Sequence, residues 1–280
     1  MTTAFFKVSG SGNDFVALAE PAAEPLHGQI RAWCRRGISL GADGVFVLRR
    51  DAGGSGGAAA VTMAYWNADG QPADLCLNGT RCAAQLACHL GWADGEVRVL
   101  TAAGPFRARR LDDRRVELEL DLAVDGPRPV TVEIDGAPHA GWYLVVGVPH
   151  FVLPWPRELD AAPVVELGRR LRHHAAFAPA GANVNFVRFA GDGRHLAIRT
   201  YERGVEDETL SCGTGAVAAA ALGLALGHLA GAATAATRGG FELVAGRDPA
   251  SGRFTLAGDA RVVAAGELLA GAEAGAGLAT

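Results

Sequence analysis

Lysine is almost missing from this chain. Of 26 lysines and arginines in 280 residues, 25 are arginine, and the single lysine is Lys7. Chemistry that needs an amine nucleophile, such as a Schiff base to pyridoxal phosphate, therefore has one position available, and no cofactor is expected. Long apolar runs are also lacking: GAVAAAALGLALG at 215–227 is too short to span a bilayer, so no membrane partner is expected. The opening MTTAFFKVSGSGNDF has no charged segment leading into an apolar core, and so reads as carrying no secretory leader. The five cysteines (34, 76, 82, 88 and 212) contain no CxxC pair and are odd in number, which predicts reduced thiols and a cytoplasmic location. The eight histidines fall at no ligand spacing, so no metal is expected. A net charge of −4 with scattered arginines argues against a nucleic-acid partner.

What is abundant is glycine, 38 residues, which with 13 prolines excludes a helical bundle or coiled coil. The chain also echoes itself. GADGVFVL at 41–48 resembles GANVNFVR at 181–188, and SGNDFVAL around Phe15 resembles GVPHFVLP around Phe151. YWNADG at 65–70 lines up loosely with TYERG at 200–204, the stretch after Cys76 with that after Cys212, and TAAG at 101–104 with TRGG at 237–240. Five matches in one order, at offsets of 134–140, mark two halves of one fold joined near 122–130.

GVFVLRR, VTMAYW, VRVL, RRVELELDL and VTVEID read as strands. Helices are expected at 79–90, closed by Gly91, and at 214–229, closed by Gly231. The second is apolar nearly all round and should be buried, as a central helix wrapped by a sheet would be. A surface helix is expected at 157–174, a flexible hairpin tip at 51–60 and a frayed tail at 271–280.

Cys76 and Cys212 each stand immediately before a helix, at equivalent places in the two halves. The first turn of a helix offers unpaired N–H groups and the positive end of the dipole, which favour a thiolate and also seat a carboxylate. Asn78-Gly79 and Gly213-Thr214-Gly215 let backbone approach an anion closely. Two such half-sites suit removal of a proton from one face of a chiral carbon and its return to the other, one thiolate as base and one thiol as acid. Cys34, Cys82 and Cys88 read as packing residues.

In order, SGSGNDF, GADG, NADG, CLNGTRC, GVPH, GANVNF and YERGVEDETLSCGTGA make up a motif set that resembles the diaminopimelate epimerase family of cofactor-independent two-cysteine epimerases, over about residues 5–268. The resemblance implies interconversion of LL- and meso-diaminopimelate in lysine and peptidoglycan precursor synthesis. It also implies an α+β fold of two pseudo-symmetric lobes, each a mostly antiparallel sheet around a central helix, with the active cleft between them, and a homodimer. The lobes are expected at 1–124, completed by 261–270, and at 125–260.

Carried over by position, Cys76 and Cys212 match the catalytic pair, and Asn78 with Gly213 and Thr214 the groups holding the reacting carboxylate. Asn13, Asn67, Asn183 and Arg203 match substrate-binding residues, the last three for the distal amino-acid end. Glu202 and His150 match partners near the reacting amino group, and Asp43 a polar residue lining the cleft. Leu77 stands where glycine is commonest, offering its N–H with its side chain turned away; Val148 and Ser9 replace an asparagine and a histidine, and the VEDE loop at 205–208 is one residue longer. Two other readings compete: a related cofactor-independent racemase of histidine or another basic amino acid, and a non-catalytic binding protein that has kept the cleft. Retention of both thiols argues against the latter.

Overall fold

Strand-forming runs separated by glycine turns give seventeen strands among the described residues. The computed structural model describes residues 3–51 and 59–273. Residues 52–58 and 274–280, which include most of the expected hairpin tip and tail, lie outside the described residues. By contacts the chain divides into two units, Met1–Glu119 with Gly258–Thr280, and Leu120–Ala257.

In the first unit, β1 (Thr3–Gly10) and β2 (Asn13–Ala19) form an antiparallel hairpin. α1 (His27–Cys34) crosses over to β3 (Gly44–Arg50), parallel to β2, and β4 (Ala60–Asn67) returns antiparallel. α2 (Leu77–His89) then crosses to β5 (Glu96–Thr101), parallel to β4, followed by antiparallel β6 (Gly104–Arg110) and β7 (Arg115–Leu120).

The second unit runs from β8 (Val124–Ile134) through β9 (Ala137–Val146) and β10 (Val148–Pro154), all antiparallel. α3 (Val164–Arg172) crosses to β11 (Asn183–Phe189), parallel to β10, and β12 (Gly193–Glu202) returns antiparallel, with short β13 (Asp207–Thr209) at its end. α4 (Gly213–Ala225) crosses to β14 (Leu229–Thr237), parallel to β12, followed by antiparallel β15 (Glu242–Arg247) and β16 (Phe254–Asp259). β17 (Arg261–Leu268) pairs antiparallel with β1 and so belongs to the first unit.

The orders β17-β1-β2-β3-β4-β5-β6-β7 and β8-β9-β10-β11-β12-β14-β15-β16 carry the same succession of antiparallel and parallel pairings. Register agrees too. Phe15 pairs with Gly44 and Phe151 with Val184, residues that lie 136 and 140 apart, as in the sequence echo. α2 and α4 are both thirteen residues long and begin 136 apart.

Each of these helices is the core of its unit. α2 packs on β1, β2, β4, β5, β6 and β17; α4 packs on β8–β12, β14 and β15. Every residue of α4 from Gly213 to Gly223 is buried, which is why its sequence has no polar face.

Several boundaries differ from expectation. α4 ends at Ala225 with Gly227 (φ +74°) just past its cap; Gly231 lies inside β14. The Ala-rich segment after 228 would suit a helix, but pairing with β12 and β15 makes it a strand. α2 ends at His89 with Gly91 (φ +70°) in the same role. The expected helix at 157–174 is shorter, Val164–Arg172, preceded by a 3-10 turn at Leu159–Ala161, because Pro163 stands before its first turn. Ala270–Glu273 forms a 3-10 turn rather than a frayed end, held by Ser39 Oγ donating to the Ala272 carbonyl at 2.9 Å.

Candidate active site

In the first unit the sequence-predicted residues gather at the start of α2. Cys76 is its N-cap, with extended backbone (φ −144°, ψ 98°), and its Sγ accepts the Gly79 N–H at 3.4 Å. The open N–H groups of that turn favour negative charge on the sulfur. Asn13 opens β2 with Oδ1 3.7 Å from Cys76 Sγ, while its Nδ2 donates to Asp43 Oδ2 at 2.7 Å. Asp43 thus orients Asn13, and also accepts the Asp14 N–H at 3.1 Å and Arg36 at 2.8 Å. Asn67 ends β4, its Oδ1 accepting the Tyr65 hydroxyl at 2.9 Å; the next residue, Ala68, donates its N–H to the Asp43 carbonyl. The Leu77 side chain is buried. A cavity of about 140 Å³ opens beside the thiol, lined among others by Met63, Tyr65, Asp74, Thr80 and Thr101.

Sequence reasoning missed Arg81. It is completely buried on α2 and donates through Nη2 to Asn78 Oδ1 at 2.8 Å and to Ser11 Oγ at 3.1 Å, and through Nε to the Asp259 carbonyl at 3.4 Å. Ser11 N–H in turn donates to Asp259 Oδ2 at 3.1 Å. Burial pushes the Arg81 pKa down, while the nearby Asp259 carboxylate works the other way. Arg81 thus fixes which way the Asn78 carboxamide is turned, with Oδ1 toward the guanidinium. One signal was available: Arg81 directly precedes Cys82, which reads as a packing residue.

Burial pushes the Cys34 thiol up to about 12 and the Cys82 thiol up as well, so both are inert packing groups. Lys7 forms an ion pair with Asp14 at 2.6 Å.

In the second unit His150 lies in mid-strand in β10, fully buried. Its Nδ1 accepts from Asn185 Nδ2 at 3.0 Å, and Asn185 Oδ1 accepts from Thr200 Oγ1 at 3.0 Å. This fixes the tautomer with the proton on Nε2. Burial first, then the Arg203 charge, push the His150 pKa down to about 3, against the Asn185 hydrogen bond, so the ring is neutral. Asn185 was not anticipated; it shares a face of β11 with Asn183, two residues earlier.

Asn183 accepts the Arg203 N–H on Oδ1 at 2.7 Å and donates to the Pro149 carbonyl at 3.3 Å. The Arg203 guanidinium forms no ion pair among the described residues. Glu202 ends β12 and accepts from Thr209 Oγ1 at 2.8 Å. Cys212 is the N-cap of α4 (φ −125°, ψ 111°), with Sγ 3.5 Å from Thr214 Oγ1; Gly213 and Thr214 are buried in the first turn. A Cβ on Gly215 would stand 2.4 Å from Asn185 Oδ1, so the Asn185 carboxamide lies directly against that turn. Among the described residues no cluster of His, Cys, Asp or Glu is suited to hold a metal, and no helix is long and apolar enough to cross a membrane.

Each unit therefore presents a thiol at a helix N-terminus. The fold is that of a solved hydroxyproline epimerase from Agrobacterium vitis, 18% identical, with a TM-score of 0.68 over 95% of this chain and 92% of that one. By class the protein is an isomerase. The diaminopimelate epimerase family model matches residues 5–123 and again 142–261, and the chain belongs to that family. The diaminopimelate epimerase of Hydrogenobaculum sp. (strain Y04AAS1) is 36% identical over 223 residues, 76% of this chain and 79% of that protein. That of Gemmatimonas aurantiaca is 35% identical over 285 residues, 94% and 98% of the two chains.

Proposed function

We propose that the protein interconverts LL- and meso-diaminopimelate without a cofactor, with Cys76 and Cys212 as the base and acid. The observation that carries this is the placement of both thiols as N-caps of equivalent helices, 136 residues apart. One cysteine, as thiolate, takes the α-proton; the other, as thiol, returns a proton to the opposite face, and the roles exchange with direction. The carbanion formed between these steps is stabilised through its carboxylate, held by Asn78 and by the N–H groups at Gly213 and Thr214. Glu202 and His150 are assigned to the reacting amino group; the Glu202 carboxylate can accept from it, whereas His150, with Nδ1 held by Asn185 and its proton on Nε2, offers it no acceptor. Asn13, oriented by Asp43, and the Leu77 N–H complete the proximal contacts. Asn67, Asn183 and Arg203 hold the distal amino-acid end, and the Arg203 guanidinium, without an ion pair among the described residues, suits its carboxylate. A cytoplasmic homodimer belongs to the same reading.

Deuterium exchange tests it. Reduced protein without pyridoxal phosphate, incubated with diaminopimelate in deuterium oxide, should incorporate deuterium at the α-carbon. Exchange into histidine or another basic amino acid, with none into diaminopimelate, would show a racemase of different substrate; exchange into none of them would return the binding-protein reading.

A further inference from the structure

The basic end of α3 holds none of the residues assigned to substrate or proton transfer. Its sequence, GRRLRHH, looks like a solvated face, yet Arg172 is only 12% exposed. The guanidinium lies between two backbone segments distant in sequence. On one side Nη1 donates to the Ala180 carbonyl at 3.3 Å, and a Cβ on Gly181 would fall 1.8 Å from the same nitrogen. Gly181 (φ +65°) leads directly into Asn183. On the other side Nε donates to Glu206 Oε1 at 3.1 Å.

Glu206 closes the turn that carries Arg203. Its backbone is left-handed (φ +60°), its N–H donates to the Glu202 carbonyl at 2.8 Å, and its own carbonyl accepts the Tyr201 hydroxyl at 2.7 Å. Its Oε1 also accepts the Gly204 N–H at 3.1 Å, and His173 Nε2 lies 3.2 Å from Oε2. Burial raises the Glu206 pKa, but Gly204, Arg172 and His173 together hold it below the ordinary carboxylate value. Arg203 therefore sits in a turn fastened at one end through its own N–H to Asn183 and at the other through Glu206 to Arg172.

The first unit repeats the device. Arg36, just past α1, packs on Gly41 (φ +68°), whose Cβ would be 2.9 Å from Arg36 Cγ. Its guanidinium spans Asp14 at 2.5 Å and Asp43 at 2.8 Å, and Asp43 orients Asn13. Arg36 and Arg172 are 136 apart, and Gly41 and Gly181 are 140 apart, the offsets of the duplication itself. An arginine lying on the glycine of each GA(D/N) segment has thus been kept in both halves, although its acidic partners differ.

We propose that Arg172 is a positioning residue for substrate binding, tying the segment that carries Asn183 to the turn that carries Arg203. This rests on the reading of Asn183 and Arg203 as contacts for the distal end of the substrate. The tie fixes where the Arg203 guanidinium is delivered and takes no part in proton transfer.

The test is a double-mutant cycle on the full chain, with KM and kcat for diaminopimelate measured for Arg172→Met, Arg203→Met and the double variant. Arg203→Met should raise KM about tenfold or more. Arg172→Met should raise KM about tenfold with kcat within about twofold, and the double variant should be no worse than Arg203→Met alone. Arg172→Lys, which keeps the charge but not the fork, should recover only part of the loss. A wild-type KM for folded Arg172→Met, or effects that simply add, would overturn the tie while leaving the Arg203 reading intact. A wild-type KM for Arg203→Met would overturn that reading, and the proposal with it. Should Arg172→Met not fold, Glu206→Ala, which removes the acceptor altogether, cuts the same tie from its other end; an unchanged KM there would equally overturn the proposal.

Discussion

His150 Nδ1 accepts a hydrogen bond from Asn185 Nδ2 at 3.0 Å, and both side chains are completely shielded from solvent. A buried imidazole held by an amide donor on one nitrogen is committed to one tautomer and to neutrality.

Stability should therefore depend on pH through His150. Its folded pKa, about 3, lies below the ordinary 6.5, so between these values the unfolded chain binds a proton that the folded chain does not. Stability is lost as pH falls through this window. Denaturant unfolding at pH 7.5, 6 and 5, above the range where carboxylates titrate, should show the loss, and His150→Gln should flatten it. A slope unchanged by His150→Gln would contradict the buried neutral ring.

Asn185→Ala removes the donor to His150 and the acceptor for Thr200. The expected cost is about 1–3 kcal/mol, the penalty for buried groups left without partners. Denaturant midpoints at neutral pH measure it, and a change under about 0.5 kcal/mol, the ordinary size of a surface substitution, would argue against the chain of bonds described.

Arg81→Met sets two effects against each other. Asn78 and Ser11 lose a donor, but a desolvated cation is also removed, and apolar replacement of buried charge is often neutral. Stability should thus move by less than about 2 kcal/mol, whereas kcat/KM should fall about tenfold or more as Asn78 is released from its orientation. Thermal melts and kinetics on the same preparation separate the two, and unaltered kcat/KM would remove Arg81 from the site.

Gly181→Ala meets both a left-handed backbone and the Arg172 guanidinium and carbonyl, at 1.8 and 2.5 Å. Gly191→Ala meets only the left-handed backbone (φ +81°), with open space around it. The second should cost about 1–2 kcal/mol; the first should cost clearly more in the same unfolding experiment. Equal costs would mean that Arg172 yields its place freely.

Cys76→Ala and Cys212→Ala should each lower epimerisation by about 10²–10⁴-fold, the usual scale of a lost general acid or base. Full activity in either variant would end the two-base mechanism.

The thiol-bearing helix starts were legible in the sequence because duplication wrote them twice, at one offset. The same copying made the strand succession recoverable in outline. Other features depended on pairing that no local pattern reports. α1 has only eight residues, with glycine at its second position, and left no periodic signature. Asn185 reaches His150 because β10 and β11 run parallel with His150 opposite Asn183, a register invisible from either strand alone. Arg172 looked solvated because Glu206, its partner, is 34 residues away.

The pairing of β1 with β17 joins Thr3 to Leu268. During synthesis the second unit, continuous in sequence, can close as soon as it leaves the ribosome. The first cannot gain β17 until every strand of the second unit has been made. β1 must wait with one side of its backbone ladder open, and the half that begins first is completed last.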